Sequence, residues 1–177
     1  AARLLFVGRF VEKKGLLALR ACLDLADAHW TFVGSGPLPP AEQPNERLDL
    51  PGRLGRAEVA QRFRDADLFV LPSTGEGFPL VVQEALACGT PVLVSREVAE
   101  AFPAIDRHCV FDVELRGVAD AAAALRKRLQ ELLADRGAIL ERFAGVLWAD
   151  LGRQPQVGEQ LRRWATALQV PAERKAS

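Results

Sequence analysis

Two glutamates on either side of an expected helix start have the spacing of a phosphate site. Glu76 precedes the helix, and Glu84 lies just over one turn inside it. Pro79 suits the first helical position, where a missing N–H costs nothing, and Leu80 and Val81 follow with free N–H groups. Such a helix start attracts anions through these donors and through the helix dipole. The stretch therefore predicts a phosphate cradle with one acid on each side, and a surface loop with two solvated glutamates is the alternative.

A cluster of basic residues is a second candidate for binding phosphate. Arg9, Lys13 and Lys14 lie in a loop that begins at Gly8 and ends at Gly15. The guanidinium group is a planar fork of donors and the ammonium group is a compact charge, and both suit a diphosphate. An ordinary solvated loop would carry the same charges, so the residue types alone do not decide between the two interpretations.

The elements that hold these residues alternate along the chain between strands and helices. Six short apolar runs predict buried strands at residues 4–7, 30–33, 48–50, 68–71, 91–94 and 108–111. The helical spacing of apolar residues predicts helices at residues 16–28, 56–65, 80–88, 97–102, 118–134, 137–151 and 158–168. Gly89 fits the C-cap of the third helix, and the sixth strand is expected at or near an edge of the sheet.

This alternation predicts the α/β class, with a doubly wound, mainly parallel six-stranded sheet and helices on both faces. Ligands bind such sheets outside the carboxyl ends of the strands. The loops at residues 8–15, 34–37 and 73–79 all follow strands, so we expect them to converge on one site. Residues 1–170 are expected to form one domain, and residues 171–177 a frayed tail.

Composition limits the classes of function that the chain can have. Of the 177 residues, 49% are hydrophobic and the formal net charge is zero, so neither disorder nor a general surface for nucleic acids or membranes is indicated. No apolar run approaches the roughly 18 residues that span a bilayer, and no signal peptide is visible. Because there is no methionine, the sequence is expected to be an excised domain or a processed product. The cysteines have no metal-ligand spacing and are expected to stay reduced in a cytoplasmic protein: Cys22, Cys88 and Cys109.

The residues around Glu76 and Glu84 resemble a motif of a known enzyme family. Seven residues separate the two acids, Gly77 and Phe78 follow the first, and Ala-Leu-Ala-Cys-Gly-Thr-Pro-Val follows the second. This is similar to the E-x7-E segment of the retaining, nucleotide-sugar-dependent glycosyltransferases of group 1, family 4. Those enzymes have the GT-B fold, in which two Rossmann-like domains face each other across a cleft. The segment belongs to their C-terminal, donor-binding domain, and the resemblance covers residues 4–111 by motif.

The resemblance implies a role for each charged residue. Glu76 is expected to face the transferred sugar, and Glu84 to accept hydrogen bonds from the ribose hydroxyls. Arg9 and Lys14 match the family's G-R…K-G loop, which holds the donor phosphates, and Lys13 is the alternative lysine. Glu76, Arg9 and Lys14 are the expected catalytic residues, because the cations would stabilise charge on the leaving diphosphate. Further donor contacts are expected from Gly34, Gly36, Leu54, Gly77, Phe78, Leu80 and Val81.

Two further stretches resemble donor-binding segments of the same family. Residues 34–37 resemble its G-x-G-P turn, and Pro39 replaces the third glycine of a dinucleotide fingerprint, which argues against a nicotinamide enzyme. Residues 51–55 resemble the stretch that contacts the nucleobase, with Leu54 as the best match. Those contacts use mainly backbone groups, so uracil, guanine and adenine remain open. The expected donor is a UDP-, GDP- or ADP-linked sugar, with no other cofactor and no metal.

The resemblance also implies partners outside this chain. The acceptor is expected to be a glycan or a lipid-linked saccharide in bacterial polysaccharide biosynthesis, and transfer should retain the anomeric configuration. The N-terminal, acceptor-binding domain is expected to lie outside this chain, so this chain alone is expected to bind the donor without transferring the sugar. The full-length protein is expected in the cytoplasm or at the cytoplasmic face of the membrane. A sugar-nucleotide epimerase-like enzyme and a non-catalytic nucleotide-sugar-binding module are the alternatives.

One stretch departs from the family pattern. After the fifth strand the family has a small, glycine-rich turn, whereas this chain has Ser-Arg-Glu-Val at residues 95–98. This departure leaves the shape of the acceptor side of the cleft open.

Overall fold

The computed structural model describes residues 1–77, 79–101 and 110–135, whose strands form one sheet. The strands are β1 (Ala2–Val7), β2 (Ala28–Val33), β3 (Leu48–Gly52), β4 (Leu68–Leu71), β5 (Val92–Ser95) and β6 (Val110–Val113). All neighbouring pairs are parallel, and the spatial order is β3-β2-β1-β4-β5-β6. The predicted six-stranded parallel sheet is confirmed, and so is the edge position of the sixth strand.

The helices in the described part of the chain are α1 (Leu16–Arg20), α2 (Arg56–Asp65), α3 (Leu80–Ala87), α4 (Arg96–Ala99) and α5 (Ala121–Ala134). None of them is long and apolar enough to cross a bilayer. Strand order reverses at β1, so right-handed crossovers place α1 on one face of the sheet and α2 and α3 on the other. The reversal also opens a crevice at the carboxyl ends of β1 and β4, where doubly wound sheets bind ligands.

Large aromatic side chains fill the core beside the sheet. The rings of Trp30 and Phe32 stack with their centroids 5.2 Å apart, and Phe63 of α2 meets Phe69 of β4 edge-on at 5.2 Å. All four side chains are fully buried. Strands β4 and β5 are buried along their whole length, as expected for central strands covered on both faces. The carboxyl ends of the central strands therefore project from a tightly packed centre.

The first helix is shorter than its apolar spacing predicts. The prediction extended to residue 28, but α1 ends at Arg20. The chain continues in short turns, in which the Leu25 N–H donates to the Cys22 carbonyl at 3.4 Å. The Trp30 indole donates to the same carbonyl at 3.1 Å, and Ala28 already begins β2. Residues beyond α1 such as Leu25 are buried in the core by these turns. Their apolar spacing therefore reflects burial and not a longer helix.

Helix α3 starts at Leu80 as the predicted range has it, but the residues at its two caps differ from the prediction by one position. Pro79 is the N-cap, with a ψ of 129°, and is not the first helical residue. Its ring fixes φ but leaves ψ free to keep it outside the helix. Cys88 is the C-cap, and Gly89 follows with a φ of 75°. This left-handed conformation, which glycine adopts easily, terminates the helix. The helix thus ends one residue earlier than predicted, and Gly89 follows the C-cap instead of forming it.

The other bounds agree with the prediction or differ by a few residues. Helix α2 and strand β4 match the predicted ranges, whereas β1, β2 and α4 start earlier, β3 ends later, and β5 and β6 lie later along the chain. Helix α5 starts at Ala121 because Asp120 caps it, accepting from the Ala123 N–H at 2.9 Å. Several predictions fall outside the described residues: 102, 108–109, 137–151, 158–168 and 171–177.

Candidate functional site

The loop after β1 brings basic residues to the carboxyl edge of the sheet. The Gly8 N–H donates to the Val33 carbonyl at 3.0 Å, which ties the loop to the end of β2. A short 3₁₀ turn, Glu12–Lys14, then ends at Gly15, whose φ is 84°. A Cβ atom at Gly15 would lie 2.5 Å from the Pro72 carbonyl oxygen, so only glycine allows this close packing against the end of β4. The lysine that precedes this glycine is thereby placed beside the loop that follows β4.

Lys14 and Glu76 form an ion pair between two loops that are distant in the sequence. Lys14 Nζ donates to Glu76 Oε1, and the Ser73 hydroxyl donates to Glu76 Oε2 at 3.3 Å. The backbone joins the loops as well, because the Thr74 N–H donates to the Lys13 carbonyl at 2.8 Å. The Lys14 and Glu76 side chains are only 18% and 11% exposed, so solvent and salt screen their charges weakly.

Helix α3 contributes an uncapped start and a half-buried carboxyl group. No side chain of the described residues caps the helix at Pro79, so the N–H groups of Leu80 and Val81 can meet an anion. Glu84 lies one turn further along α3. Burial raises the pKa of Glu84 above its ordinary value of 4.5, and the positive charge of Arg56 opposes that shift.

These segments surround an open cavity of about 700 Å³, which we call the first cavity. Its charged lining consists of Arg9, Lys13, Lys14, Glu76 and Glu84. Gly77, Leu80 and Val81 line it too. The structure therefore brings the predicted residues of the β1 loop, the β4 loop and α3 into one space, and Lys13 lines that space beside Lys14.

A second cavity, of about 540 Å³, adjoins the first. Both are lined by the end of β1 and the start of its loop, namely Val7, Gly8 and Arg9. The rest of the second cavity is lined by Val33, Gly34, Ser35, Gly36, Arg53, Leu54 and Val59. Gly34 has a φ of 140°, and a Cβ atom there would lie 1.9 Å from the Gly8 carbonyl oxygen. Close backbone packing therefore shapes this cavity.

All the predicted site residues that the structure describes line one of the two cavities, and Phe78 lies outside the described residues. Sequence reasoning missed two side chains. Arg53 lines the second cavity, and its position directly before Leu54 was a signal that could have found it. Ser73 holds the Glu76 carboxylate, and a hydroxyl three residues before an acid is a weak local signal of such a bond.

The first cavity combines groups that suit two parts of one ligand. Arg9, Lys14 and the start of α3 favour an anion such as a diphosphate. Glu76 and Glu84 can accept hydrogen bonds from hydroxyl groups when they are ionised. A ligand that carries both phosphates and hydroxyls would use both sets. Among the described residues, no group of three histidine, cysteine, aspartate or glutamate side chains could hold a metal ion.

Comparison with protein families matches residues 1–135 to the model of the "Glycosyl transferases group 1". The chain belongs to this family. The matched range contains every strand and helix that builds the two cavities. Glu76, Glu84, Arg9 and Lys14 lie within the matched range.

Curated relatives also carry glycosyltransferase names. The chain is 32% identical over 152 residues to the amylovoran biosynthesis glycosyltransferase AmsK of Erwinia amylovora, a match that covers 75% of this chain and 37% of that protein. It is 36% identical over 109 residues to the D-inositol 3-phosphate glycosyltransferase of Mycolicibacterium gilvum, which covers 54% of this chain and 25% of that protein. The matches thus span less than half the length of these group 1 glycosyltransferases.

Solved structures show the same fold in one part of larger chains. Sucrose-phosphate synthase from Thermosynechococcus elongatus is 26% identical with a TM-score of 0.62, and the match covers 94% of this chain and 46% of that one. Anabaena HepE, solved in complex with UDP, is 18% identical with a TM-score of 0.64, and the match covers 94% and 48%. These neighbours are GT-B glycosyltransferases, and the group 1 chain described here corresponds to slightly less than half of each.

Proposed function

We propose that the chain is the C-terminal, donor-binding domain of a retaining group 1, family 4 glycosyltransferase. Its ligand is then a nucleotide diphosphate sugar. The observation that carries the proposal is the meeting of Arg9, Lys14, Glu76 and Glu84 around the first cavity, beside the uncapped start of α3. Cations and a helix start suit the diphosphate, and carboxylates suit the hydroxyl groups of the two sugars.

The joined cavities give the proposed position of the donor. The nucleobase occupies the second cavity beside Leu54, and the diphosphate lies where the cavities meet at Arg9. The ribose hydroxyls then reach Glu84, and the transferred sugar reaches Glu76. Glycine backbone and apolar groups form most of the second cavity, and such a lining does not specify one base. The proposed base is therefore uracil, guanine or adenine. The UDP complex of the HepE structure makes UDP the first nucleotide to test.

The proposed chemistry rests on electrostatic stabilisation of the leaving group. Sugar transfer breaks the bond between the anomeric carbon and the diphosphate oxygen, so negative charge develops on the diphosphate. We propose that Arg9, Lys14 and the dipole of α3, which border the first cavity, stabilise this charge. Lys14, which pairs with Glu76 in the free chain, lies between the proposed phosphate and sugar positions. These cations supply the positive charge that a metal ion would otherwise provide, so we propose metal-independent binding.

The acceptor is proposed to be a glycan or a lipid-linked saccharide in bacterial polysaccharide biosynthesis. The support is the name of the amylovoran relative and the similarity over 152 residues to it. The acceptor is proposed to bind a separate N-terminal domain, because the match to that relative covers only 37% of its length. We place the reaction in the cytoplasm or at the cytoplasmic face of the membrane.

Calorimetric titration of this chain tests the proposal. UDP, GDP, ADP and the three matching nucleosides are titrated with and without a metal chelator. We expect one diphosphate to bind best, its nucleoside to bind much more weakly, and chelation to leave the affinity unchanged. Absence of binding by all three diphosphates would contradict the proposal.

Turnover assays test the division of labour between two domains. Orientation of acceptor against donor contributes ~7–11 kcal/mol to catalysis, and a donor domain alone cannot supply it. We therefore expect this chain to bind the donor sugar without transferring it, and a longer protein that includes the acceptor domain to transfer it. Nucleotide release by this chain alone at about 1 s⁻¹ or faster would contradict this division. Acceptor-independent release at that rate would instead indicate hydrolase or epimerase chemistry.

A further inference from the structure

The loop that carries Glu76 is also held by residues at the end of β5 and in α4. Glu97 Oε1, in the short helix α4, accepts a hydrogen bond from the Gly75 N–H at 2.7 Å. The Ser95 hydroxyl donates to the Ser73 carbonyl at 2.6 Å. Residues 73 to 76 are therefore attached at two points, to the last residue of β5 and to helix α4.

Glu97 is in turn fixed by a partner from another part of the chain. Arg116, which follows β6, donates from Nη2 to Glu97 Oε2. The Glu97 side chain is only 21% exposed, although that of Arg116 is 80% exposed. A small cavity of about 90 Å³ is lined by both members of this pair and by Thr74 of the loop. The Glu97 carboxylate thus bridges the β4 loop and the β6 loop.

We propose that Glu97 is a positioning residue, which fixes the backbone of Gly75 and thereby holds Glu76 in place for the transferred sugar. The functional half of this inference, that Glu76 is held for the sugar, rests on the proposed function of the chain. The structural half, that Glu97 fixes the Gly75 backbone, does not. Glu97 lies in the Ser95–Val98 stretch, where the sequence departs from the glycine-rich turn of the resembled enzymes. A glycine at this position would have no side chain to accept from Gly75.

The chemistry of the contact supports a role in positioning. A hydrogen bond from a backbone N–H to a carboxylate is stronger than one between neutral groups. Gly75 immediately precedes Glu76, so a change of its backbone direction would redirect the Glu76 side chain. Lys14 and Ser73 contact the two carboxylate oxygens of Glu76, whereas Glu97 acts only on the backbone. Loss of Glu97 should therefore misplace Glu76 without removing its partners.

The first experiment measures the loop without any ligand. Amide hydrogen exchange at Gly75 is compared in wild type, Glu97→Ala, Glu97→Gln and Glu100→Ala. Glutamine keeps an oxygen acceptor, and Glu100 is an exposed carboxylate that borders the same small cavity and follows α4 directly. We expect Gly75 exchange to become about tenfold faster in Glu97→Ala, to change about threefold or less in Glu97→Gln, and to stay unchanged in Glu100→Ala. Unchanged exchange in Glu97→Ala would overturn the inference whether or not the chain binds nucleotides.

The second experiment separates positioning of Glu76 from general damage. Calorimetry gives the ratio of the affinity for the best nucleotide sugar to that for its nucleoside diphosphate. We expect Glu97→Ala to lower this ratio about tenfold and Glu97→Gln to restore most of it. In a Glu76→Ala background, Glu97→Ala should have no further effect on the ratio, because the group that it positions is gone. Equal loss for sugar and diphosphate, or additive loss in the double variant, would overturn the functional half.

Failure of the proposed function gives a different pattern. A wild-type chain that binds neither nucleotides nor nucleotide sugars would contradict both the proposed function and the sugar-positioning half. Gly75 exchange would then still decide whether Glu97 fixes the loop. Normal nucleotide binding with an unchanged sugar ratio in Glu97→Ala would contradict the inference about Glu97 alone.

Discussion

The two cavities are built in different ways, although the same loop after β1 lines both. The first takes its character from charged side chains that meet across distant loops, as in the pair of Lys14 and Glu76. The second takes its shape from backbone segments that pack too closely for a side chain. A Cβ atom added at Gly34 would lie 1.9 Å from the Gly8 carbonyl oxygen. Side chains thus determine what the first cavity can bind, whereas glycine allows the second cavity to exist.

This difference separates two kinds of mutational effect. A changed charge in the first cavity should alter ligand affinity while the fold persists, because strands β1 and β4 remain packed without it. A changed glycine in the second cavity should alter the fold itself.

Gly34→Ala should cause the largest loss, because it forces a side chain against the Gly8 carbonyl and strains a backbone with a φ of 140°. We expect the free energy of unfolding to fall by about 3 kcal/mol or more. Gly55→Ala is the matched control, since a Cβ there meets nothing within 4 Å and its φ is −71°. The control should lose about 1 kcal/mol at most. Urea unfolding with similar losses for both variants would contradict the role given to Gly34.

Arg9→Ala and Lys14→Ala should each weaken nucleoside-diphosphate binding by roughly 10- to 100-fold, because a hydrogen bond to a charged group contributes about 1.5–3 kcal/mol. Binding of the matching nucleoside should hardly change. Lys13→Ala is the internal comparison, and its effect on the diphosphate should be the smaller one if Lys14 is the phosphate ligand. Equal losses for diphosphate and nucleoside would show that these residues shape the fold instead.

Glu84→Gln should reduce recognition of the ribose. Wild type should bind a 2′-deoxy or 3′-deoxy nucleotide more weakly than the parent nucleotide, since a carboxylate accepts strongly from hydroxyl groups. The variant should lose about 3- to 10-fold of that discrimination, which is the difference between a charged and a neutral acceptor. A variant that discriminates as well as wild type would make Glu84 an ordinary helix residue.

The smallest effect is the pH dependence that Glu84 gives to stability. Burial raises the pKa of this carboxyl in the folded state above its ordinary 4.5, so the folded chain binds the proton more tightly than the unfolded chain. The stabilising contribution is fully present below the unfolded pKa and is lost as pH rises through the folded pKa. The unfolding free energy of wild type relative to Glu84→Gln should therefore rise as pH is lowered from about 7 to about 4. A difference that falls over this range would contradict the shift.

Much of the fold could be predicted from the sequence because its strongest signals are local. The apolar runs of β4 and β5 and the helical spacing of apolar residues in α2 can each be recognised within one short stretch of sequence. The end of α1 could not be predicted in this way, since the residues after Arg20 follow a helical apolar spacing while their backbone turns to meet Trp30. Where the helix ends therefore depends on contacts with β2, a strand that lies several residues further along the chain.

The candidate site shows the same limit. Arg9, Lys14, Glu76 and Glu84 carried recognisable spacing, and the structure places them around one cavity. The bond between Glu97 and Gly75 had no such signal, because the two lie 22 positions apart and meet only when β4 and β5 are paired. The candidate binding residues could be found in the sequence, whereas Glu97, the proposed positioning residue, could be found only in the fold.

An amide NMR titration of this chain with UDP, GDP and ADP tests most directly whether the first cavity binds a diphosphate. We expect saturable shifts for the best diphosphate at the amides of Arg9, Lys14, Leu80 and Val81, around the first cavity. The matching nucleoside should leave these amides nearly unshifted, because it lacks the phosphates that they contact. Shifts that scatter over the surface, or that are equal for diphosphate and nucleoside, would contradict the claim that this cavity binds the diphosphate of a donor.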